Sequence, residues 1–357
     1  MRLDVPTRLL LTACLLVVIA AALPVLAQPA PVGGGAPVAA APKADVHQLD
    51  YRLSARALAD GVWVVEGDNA DFSVPNGCNI INTGFIATGQ GVLVVNTGTS
   101  RRYGEQLRAL IARTTPEPVR GVVQLNLHPD YFLGHQAFAD VPRWATARTR
   151  AGVEREAAAY ENNLYRLCGD WMRGTEALAP DQTLDVAALG GRWRMGQREF
   201  ELLELEGHTD SDLVLIDRRS GVVFAGGLVF AQRIPTTPHA RVAAWQASLA
   251  RLQARLQQAP APGEAALRQV VPSHGPVQDA AGGLRAAQQT GRYLAWLDGH
   301  FRQAAAQGWD MNEVLRAPVP AEYRSWAAFE TEYLRNVAHL FPVYERQVMA
   351  PAALAKP

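Results

Sequence analysis

Imidazole and carboxylate side chains gather in three short segments of this chain, and each segment directly follows an apolar, strand-like run. The segments are 126–135 (NLHPDYFLGH), 206–210 (EGHTD) and 271–276 (VPSHGP). Histidine and aspartate held in tight Gly or Pro turns at strand ends are how a sheet scaffold presents a zinc site. A single Gly-His pair is more often an ordinary turn, but three such segments in this order indicate one metal-binding or catalytic site.

The runs between these segments alternate between the periods of strands and helices. Short apolar runs bounded by Gly-containing turns predict strands, and apolar residues three and four apart predict amphipathic helices. The predicted strands are 62–65, 79–87, 91–95, 121–125, 193–195, 200–205, 213–216, 222–225 and 269–271. The predicted helices are 100–112, 150–167, 243–257 and the chain after Gly283. Two halves that each run from strands to helices predict an α+β sandwich of two packed sheets with outer helices.

The first 27 residues are typical of a cleavable export signal. Arg2 and Arg8 flank the start of an apolar run, Leu9–Leu26, and a small-residue cleavage site ends at Ala27. A membrane anchor is the alternative, because the run is just long enough to span a bilayer. Pro24 and the small-residue ending favour cleavage. We therefore expect a periplasmic or secreted protein that is not membrane-embedded after cleavage.

The rest of the chain divides by composition into three parts. Residues 28–45 are Ala, Pro and Gly with hardly a charge, which is typical of a linker. Residues 46–282 carry the predicted strands and form one domain. Residues 283–357 are helical in pattern, interrupted at Pro318 and Pro320, and form a C-terminal appendage.

Export changes what the cysteines imply. Cys14 would leave with the signal, so that Cys78 and Cys168 remain in an oxidising compartment. Two such cysteines are more often paired than free, and we predict a Cys78–Cys168 disulfide. Two separate buried thiols are the alternative, because sequence alone does not show whether the two Cα atoms lie close enough to bridge.

Composition excludes several classes of function. Lys and Arg number 34, as do Asp and Glu, so the formal net charge is zero and no nucleic-acid partner is expected. Hydrophobic residues make up 48% and charged residues 19%, which indicates a globular core. No Ser-His-Asp order, phosphate loop, CxxC pair or dinucleotide fingerprint is present in the sequence.

The three segments resemble the metal motifs of the metallo-β-lactamase fold superfamily, and the resemblance runs from about residue 60 to 280. Within that superfamily the chain is similar to the quinoprotein relay system zinc metallohydrolases. The supporting stretches are NGCNIINTGF, RRYGEQLRALIAR, NLYRLCGDWMRGTE, FAGGLVFAQRIPTTPHA and the helical tail. This resemblance implies an exported protein associated with dehydrogenases that depend on pyrroloquinoline quinone (PQQ). Its partners would be a small-molecule substrate and a periplasmic quinoprotein dehydrogenase.

The family pattern is only half preserved at its metal positions. The matching residues are His128, Asp130, His208 and His274. The departures are Asn96 and Gly227 where the family has Asp, and Asn126 and Tyr131 where it has His. Catalytic zinc normally has three protein ligands and an activated water. Asn is a weak ligand, and Tyr would have to lose a proton whose pKa is near 10. The resemblance therefore implies a degenerate site rather than a paired dizinc centre.

Two functions from different classes follow from this pattern. The first is a hydrolase with at most one zinc, held by His128, Asp130, His208 and His274, in which Asp130 is the catalytic carboxylate and the metal activates water. The second is an inactive pseudoenzyme with no metal, kept as a binding protein for a periplasmic dehydrogenase or a quinone-related ligand. A true β-lactamase is disfavoured, because the metal pattern is too damaged.

Several neighbouring residues have a supporting role or none in these hypotheses. His135 either compensates for the ligand lost at Tyr131 or lies in an outer layer, and the second is favoured. Asp210 or Asp212 either hydrogen-bonds a histidine or caps a helix, and His239 is expected to line the mouth of the site without being a ligand. Tyr131 either fills space with its aromatic ring or orients a substrate with its hydroxyl, and the first is favoured. No chemical role is expected for three further histidines, His47, His300 and His339.

Overall fold

The computed structural model describes residues 43–349, and its first sheet has seven strands in sequence order. Neighbouring strands are antiparallel from β1 to β4 and parallel from β4 to β7. The strands are β1 (Arg56–Ala59), β2 (Val62–Val65), β3 (Thr83–Ala87), β4 (Val92–Val95), β5 (Val119–Val123), β6 (Arg143–Ala145) and β7 (Gln182–Thr183). Parallel pairing places the ends of β4 and β5 at the same edge, where the first polar segment begins.

The second sheet has six strands in the order β13-β12-β11-β10-β9-β8, with β11 and β12 parallel and the other pairs antiparallel. The strands are β8 (Arg192–Met195), β9 (Arg198–Leu205), β10 (Asp212–Asp217), β11 (Val222–Phe224), β12 (Gln269–Val271) and β13 (Gln278–Asp279). All six residues of β10 are buried, because this strand lies inside the sheet and both of its faces are covered.

Helices cover the outer faces of the two sheets. They are α1 (Arg101–Thr114), α2 (Pro129–Phe132), α3 (Ala147–Cys168), α4 (Val242–Leu256), α5 (Ala280–Ala306), α6 (Met311–Arg316), α7 (Ala321–Arg324) and α8 (Phe329–Met349). One buried apolar cluster joins side chains of both sheets, a second lies under α1 and α3, and a third lies under α4, α5 and α8. The predicted α+β sandwich of two packed sheets with outer helices is confirmed.

One predicted strand begins later than the sequence pattern indicates. We predicted strand 79–87, but regular pairing begins only at Thr83. The preceding residues bind the third polar segment instead. The Asn82 backbone N–H donates to the Ser273 carbonyl (2.9 Å), and its side-chain amide donates to the Pro272 and Gly275 carbonyls (3.0 and 2.8 Å). These contacts hold the His274 turn against the first sheet.

The predicted Cys78–Cys168 disulfide is present, with the two Cα atoms 6.0 Å apart and a sequence separation of 90. It ties the end of α3 to the segment before β3. Closing a loop of this length is worth about 4–5 kcal/mol of unfolding free energy in the chain-entropy account. Cys14, the predicted signal and most of the predicted linker lie outside the described residues. Within 43–349, no helix combines the length and apolar character needed to cross a membrane.

Candidate functional site

A cavity of about 470 Å³ lies where the first and third polar segments meet. His128 and Asp130 reach it from the start of α2, and His274 reaches it from the turn after β12. Helices α3 and α8 both contribute side chains to its lining. Their lining side chains are Glu156, Tyr160 and Leu167 from α3 and Glu332, Arg335 and His339 from α8.

Asp130 and His274 face each other in the buried part of this cavity. The Asp130 Oδ2 and His274 Nε2 atoms lie 3.6 Å apart. His274 Nδ1 donates to the Ile80 carbonyl (2.8 Å), because a carbonyl can only accept, and neutral His274 therefore carries its lone pair on Nε2. Burial raises the pKa of Asp130 to about 6. Burial and the nearby Arg233 guanidinium hold the pKa of His274 well below its usual value.

His128 pairs with His239 at the mouth of the cavity. The His128 Nε2 and His239 Nδ1 atoms lie 3.1 Å apart, so one of these nitrogens must carry a proton and donate it to the other. Burial, with the neighbouring imidazoles of His208 and His239, holds the pKa of His128 well below its usual value. Burial also lowers the pKa of His239, so both rings are neutral near pH 7. His239 is one of the residues that line the cavity.

His208 is completely buried behind this pair and is oriented by a carboxylate. Its Nδ1 donates to Asp212 Oδ1 (3.1 Å), and its Nε2 has no hydrogen-bond partner among the described residues. Asn126 Nδ2 donates to Asp212 Oδ1 (2.5 Å) and Thr209 Oγ1 (3.1 Å), and Asn126 Oδ1 accepts from the His128 backbone N–H (2.9 Å). The amide of Asn126 thus organises both histidines by hydrogen bonding.

Gly227 lies directly against this network. A Cβ atom at this position would lie 2.6 Å from Asp212 Oδ1 and would also collide with His208 Nδ1. The imidazole and the carboxylate therefore fill the space that a longer side chain at 227 would need. An aspartate at this position would therefore not fit beside the His208–Asp212 contact.

The sequence matches the model of one known protein family. The sequence model described as "Metallo-beta-lactamase superfamily" matches residues 76–274, which is more than half of the chain. The chain belongs to the metallo-beta-lactamase superfamily. A search of the curated proteins found no match.

Solved structures of metallo-beta-lactamases share the fold. The enzyme from Hirschia baltica aligns with a TM-score of 0.51 and 18% identity, over 67% of this chain and 97% of its own. The enzyme FIM-1 from Pseudomonas aeruginosa, solved in a mono-zinc form, aligns with a TM-score of 0.50 and 18% identity, over 68% of this chain and 96% of its own. At these identities the likeness concerns the fold alone.

The metal centre implied by the superfamily does not fit the side chains of this chain. Within residues 43–349, no three His, Cys, Asp or Glu side chains converge closely enough to hold a metal ion. The Phe230 ring packs against two of the candidate ligands. It stacks on the His274 ring with centroids 5.0 Å apart, and it meets the His208 ring at 68° with centroids 5.5 Å apart. The buried guanidinium of Arg233 lies 5.8 Å from the same ring.

The other departures from the superfamily pattern have structural roles. Tyr131 is fully buried in the core between the two sheets, and burial raises its pKa well above the usual value, so that its phenol stays protonated. Asn96 adopts a left-handed backbone (φ 58°), and its Oδ1 accepts from the Leu125 N–H (3.0 Å), which ties the end of β4 to the end of β5.

Two residues expected near the site lie elsewhere. Asp210 is at the surface, with Oδ1 3.7 Å from Arg241 Nη2, and Asp212 is the aspartate that contacts His208. His135 is buried outside the cavity lining, where its Nδ1 donates to the Leu178 carbonyl (2.9 Å). The first polar segment therefore does not bring His135 to the other histidines, because the chain turns away in a 3₁₀ helix that starts at this residue.

We expect His135 to make the protein sensitive to acid. Burial lowers its pKa from 6.5 to about 3 in the folded state, so between these values only the unfolded chain takes up the proton. Proton uptake by the unfolded chain destabilises the fold only below about pH 6.5. The free energy of unfolding should therefore fall by about 2–3 kcal/mol between pH 7 and 4.5. Denaturant titrations at the two pH values measure this loss. His135→Asn, which keeps an N–H donor for Leu178, should lose less; an equal loss in both proteins would contradict the assignment.

Sequence reasoning missed the contribution of α8 to the site. Glu332, Arg335 and His339 line the cavity, although His339 was expected to have no chemical role. Arg233 was also missed: it is fully buried, and its Nη2 lies 3.4 Å from Glu332 Oε1. The only available signal was the i, i+3, i+7 spacing of polar residues on α8, which is also the spacing of an ordinary solvated helix face.

Proposed function

We propose that this chain is an exported member of the quinoprotein relay group that binds a small organic molecule in the cavity and acts without a resident zinc. The observation that carries this proposal is the contrast between a well-formed cavity at the superfamily position and donor atoms that do not converge there. The signal-like N-terminus and the relay-type stretches support export and the subgroup. A periplasmic quinoprotein dehydrogenase is the partner that this grouping favours.

The cavity has the size and lining of a small-molecule site. Its volume of about 470 Å³ falls within the usual range for such sites. Apolar surface comes from Phe72, Ile80 and Leu167, while the neutral imidazoles of His128 and His274 offer hydrogen bonds at the buried end. The side chains at the superfamily's metal-binding positions would then orient a ligand.

Zinc content tests the metal half of the proposal. We expect the purified protein, incubated with excess zinc and then exchanged into metal-free buffer, to retain less than about a tenth of an ion per chain. His208→Ala should retain the same amount. Roughly one zinc per chain in the wild type, lost in His208→Ala, would overturn the proposal.

A cavity-blocking variant tests the binding half. Ala158 and Ala159 are both exposed on α3, but only Ala159 lines the cavity. We expect small phenyl-bearing probes to bind with dissociation constants of about millimolar or lower. Ala159→Trp should abolish this binding, and Ala158→Trp should preserve it, as measured by isothermal titration calorimetry. Equal binding by both variants would show that the cavity is not the site.

A mononuclear zinc hydrolase is the second candidate. The favouring observation is that His208 Nε2 is buried without a partner among the described residues, and that the Asp130 and His274 donor atoms lie 3.6 Å apart. These three groups would have to move together around the Phe230 ring to share one ion. The zinc measurement separates this candidate from the first.

A further inference from the structure

We propose that the ligand of this cavity is an organic cation, a protonated amine carried on an apolar or aromatic body. This inference rests on the proposed small-molecule function and names the ligand class for the same cavity. It is carried by the charges of the lining, by unpaired buried acceptors, and by the placement of the aromatic side chains.

Negative charge is in excess around the cavity. Three carboxylates line it, those of Asp130, Glu156 and Glu332, against the single guanidinium of Arg335. Three of these four charges have a direct ion-pair partner: Glu156 pairs with Arg155, Glu332 with Arg233, and Arg335 with Asp71. Once these pairs cancel, the carboxylate of Asp130 leaves one negative charge in excess. A monovalent cation in the cavity would balance the set.

Glu332 has an acceptor that the protein leaves unused. The residue is only 2% exposed, and its Oε1 accepts from Arg335 Nη1 (3.1 Å), Thr236 Oγ1 (3.1 Å) and Arg233 Nη2 (3.4 Å). Its Oε2 has no hydrogen-bond partner among the described residues, and neither does the Tyr160 hydroxyl on α3. A buried carboxylate oxygen without a donor is costly, and a ligand N–H group would satisfy it.

An anionic ligand would fit this cavity poorly. Arg335, the only guanidinium of the lining, already donates to Asp71 Oδ1 (2.9 Å) and to Glu332. An incoming carboxylate would share this already paired guanidinium with Asp71 and Glu332 and would face the remaining acids of the lining. A cation faces the carboxylates directly, and the aromatic rings of Phe72 and Tyr160 add favourable surface for its charge and its apolar body.

Three probes of similar size separate charge from shape: 2-phenylethylamine, 2-phenylethanol and 3-phenylpropionate. In calorimetric titrations at pH 7.5 and low salt, we expect the amine to bind at least about tenfold tighter than the alcohol, and the carboxylate to bind weakest. Glu332→Gln should remove most of the preference for the amine over the alcohol. Glu330→Gln, an exposed change on the same helix, should leave it intact.

A second variant keeps the test independent of folding. Glu332→Gln removes the negative charge beside buried Arg233 and could therefore destabilise the fold. Glu156 is only partly buried on α3, so Glu156→Gln should weaken amine binding about threefold or more without unfolding the protein. Equal affinities for amine and alcohol, both abolished by Ala159→Trp, would overturn the cation proposal and leave cavity binding standing. Failure of all three probes to bind, or binding that survives Ala159→Trp, would overturn the proposed function itself.

Discussion

Gly227→Asp is expected to destabilise the protein by about 3 kcal/mol and to leave it unable to bind zinc. The substitution restores the aspartate that the superfamily has at this position. However, the new Cβ would collide with His208 Nδ1 and lie 2.6 Å from Asp212 Oδ1. It would also place a second carboxylate beside a buried one. Chemical denaturation and zinc content of the refolded variant measure the two effects.

Two control substitutions separate the causes of this loss. Gly227→Ala adds the Cβ without the charge and should show the steric part alone. Gly299→Asp adds an aspartate where no atom lies within 4 Å of the new Cβ, and we expect a change within about 0.5 kcal/mol. If Gly227→Asp were as stable as the wild type and bound one zinc per chain, then His208 and Asp212 would have moved aside to rebuild a metal centre.

The second large effect is expected at Arg233, whose substitution by methionine should cost about 3 kcal/mol or more. The Arg233 side chain is fully buried, its Nε donates to the Ala70 carbonyl (3.1 Å), and its Nη2 faces Glu332. Removing this cation leaves the Glu332 carboxylate buried with Arg335 as its remaining cation. Denaturant unfolding measures the cost.

An exposed ion pair supplies the control for this prediction. Arg150 and Glu154 are paired on α3 with both side chains about half exposed, so Arg150→Met should change the free energy of unfolding by less than about 0.5 kcal/mol. The double variant Arg233→Met/Glu332→Gln should recover part of the loss, since the uncompensated charge is then removed. Similar costs for Arg233→Met and Arg150→Met would contradict a role for Arg233 in joining α8 to the sheets.

The local pattern of the sequence was sufficient to predict the two-sheet sandwich and to indicate where the candidate site lies. Strands such as β4 and β10 are short apolar runs bounded by turn residues, and the polar segments follow strand ends that meet at one edge. These features are local, so periodicity and spacing reveal them. The departures at Asn126 and Gly227 followed instead from the resemblance to the superfamily motifs.

The parts of the site that come from long-range packing could not be predicted. Nothing in the spacing of Glu332 and His339 shows that α8 crosses back to the cavity, because the amphipathic pattern fixes a helix face and leaves its partner open. The same limit applies to Asn82, whose contacts with the His274 turn span about 190 residues and shorten β3. The ion pair between Arg233 and Glu332 likewise depends on the tertiary fold, because the two residues are 99 positions apart in the sequence.

The disulfide makes the cavity a product of oxidative folding. Cys168 ends α3, the helix that presents Glu156 and Tyr160, and Cys78 lies two residues before Ile80, whose carbonyl accepts from His274. One covalent bond thus joins a wall of the cavity to the segment that orients His274. In a reducing compartment both would be held by non-covalent contacts alone. Passage into an oxidising space would therefore fix the walls of the cavity as well as stabilise the chain.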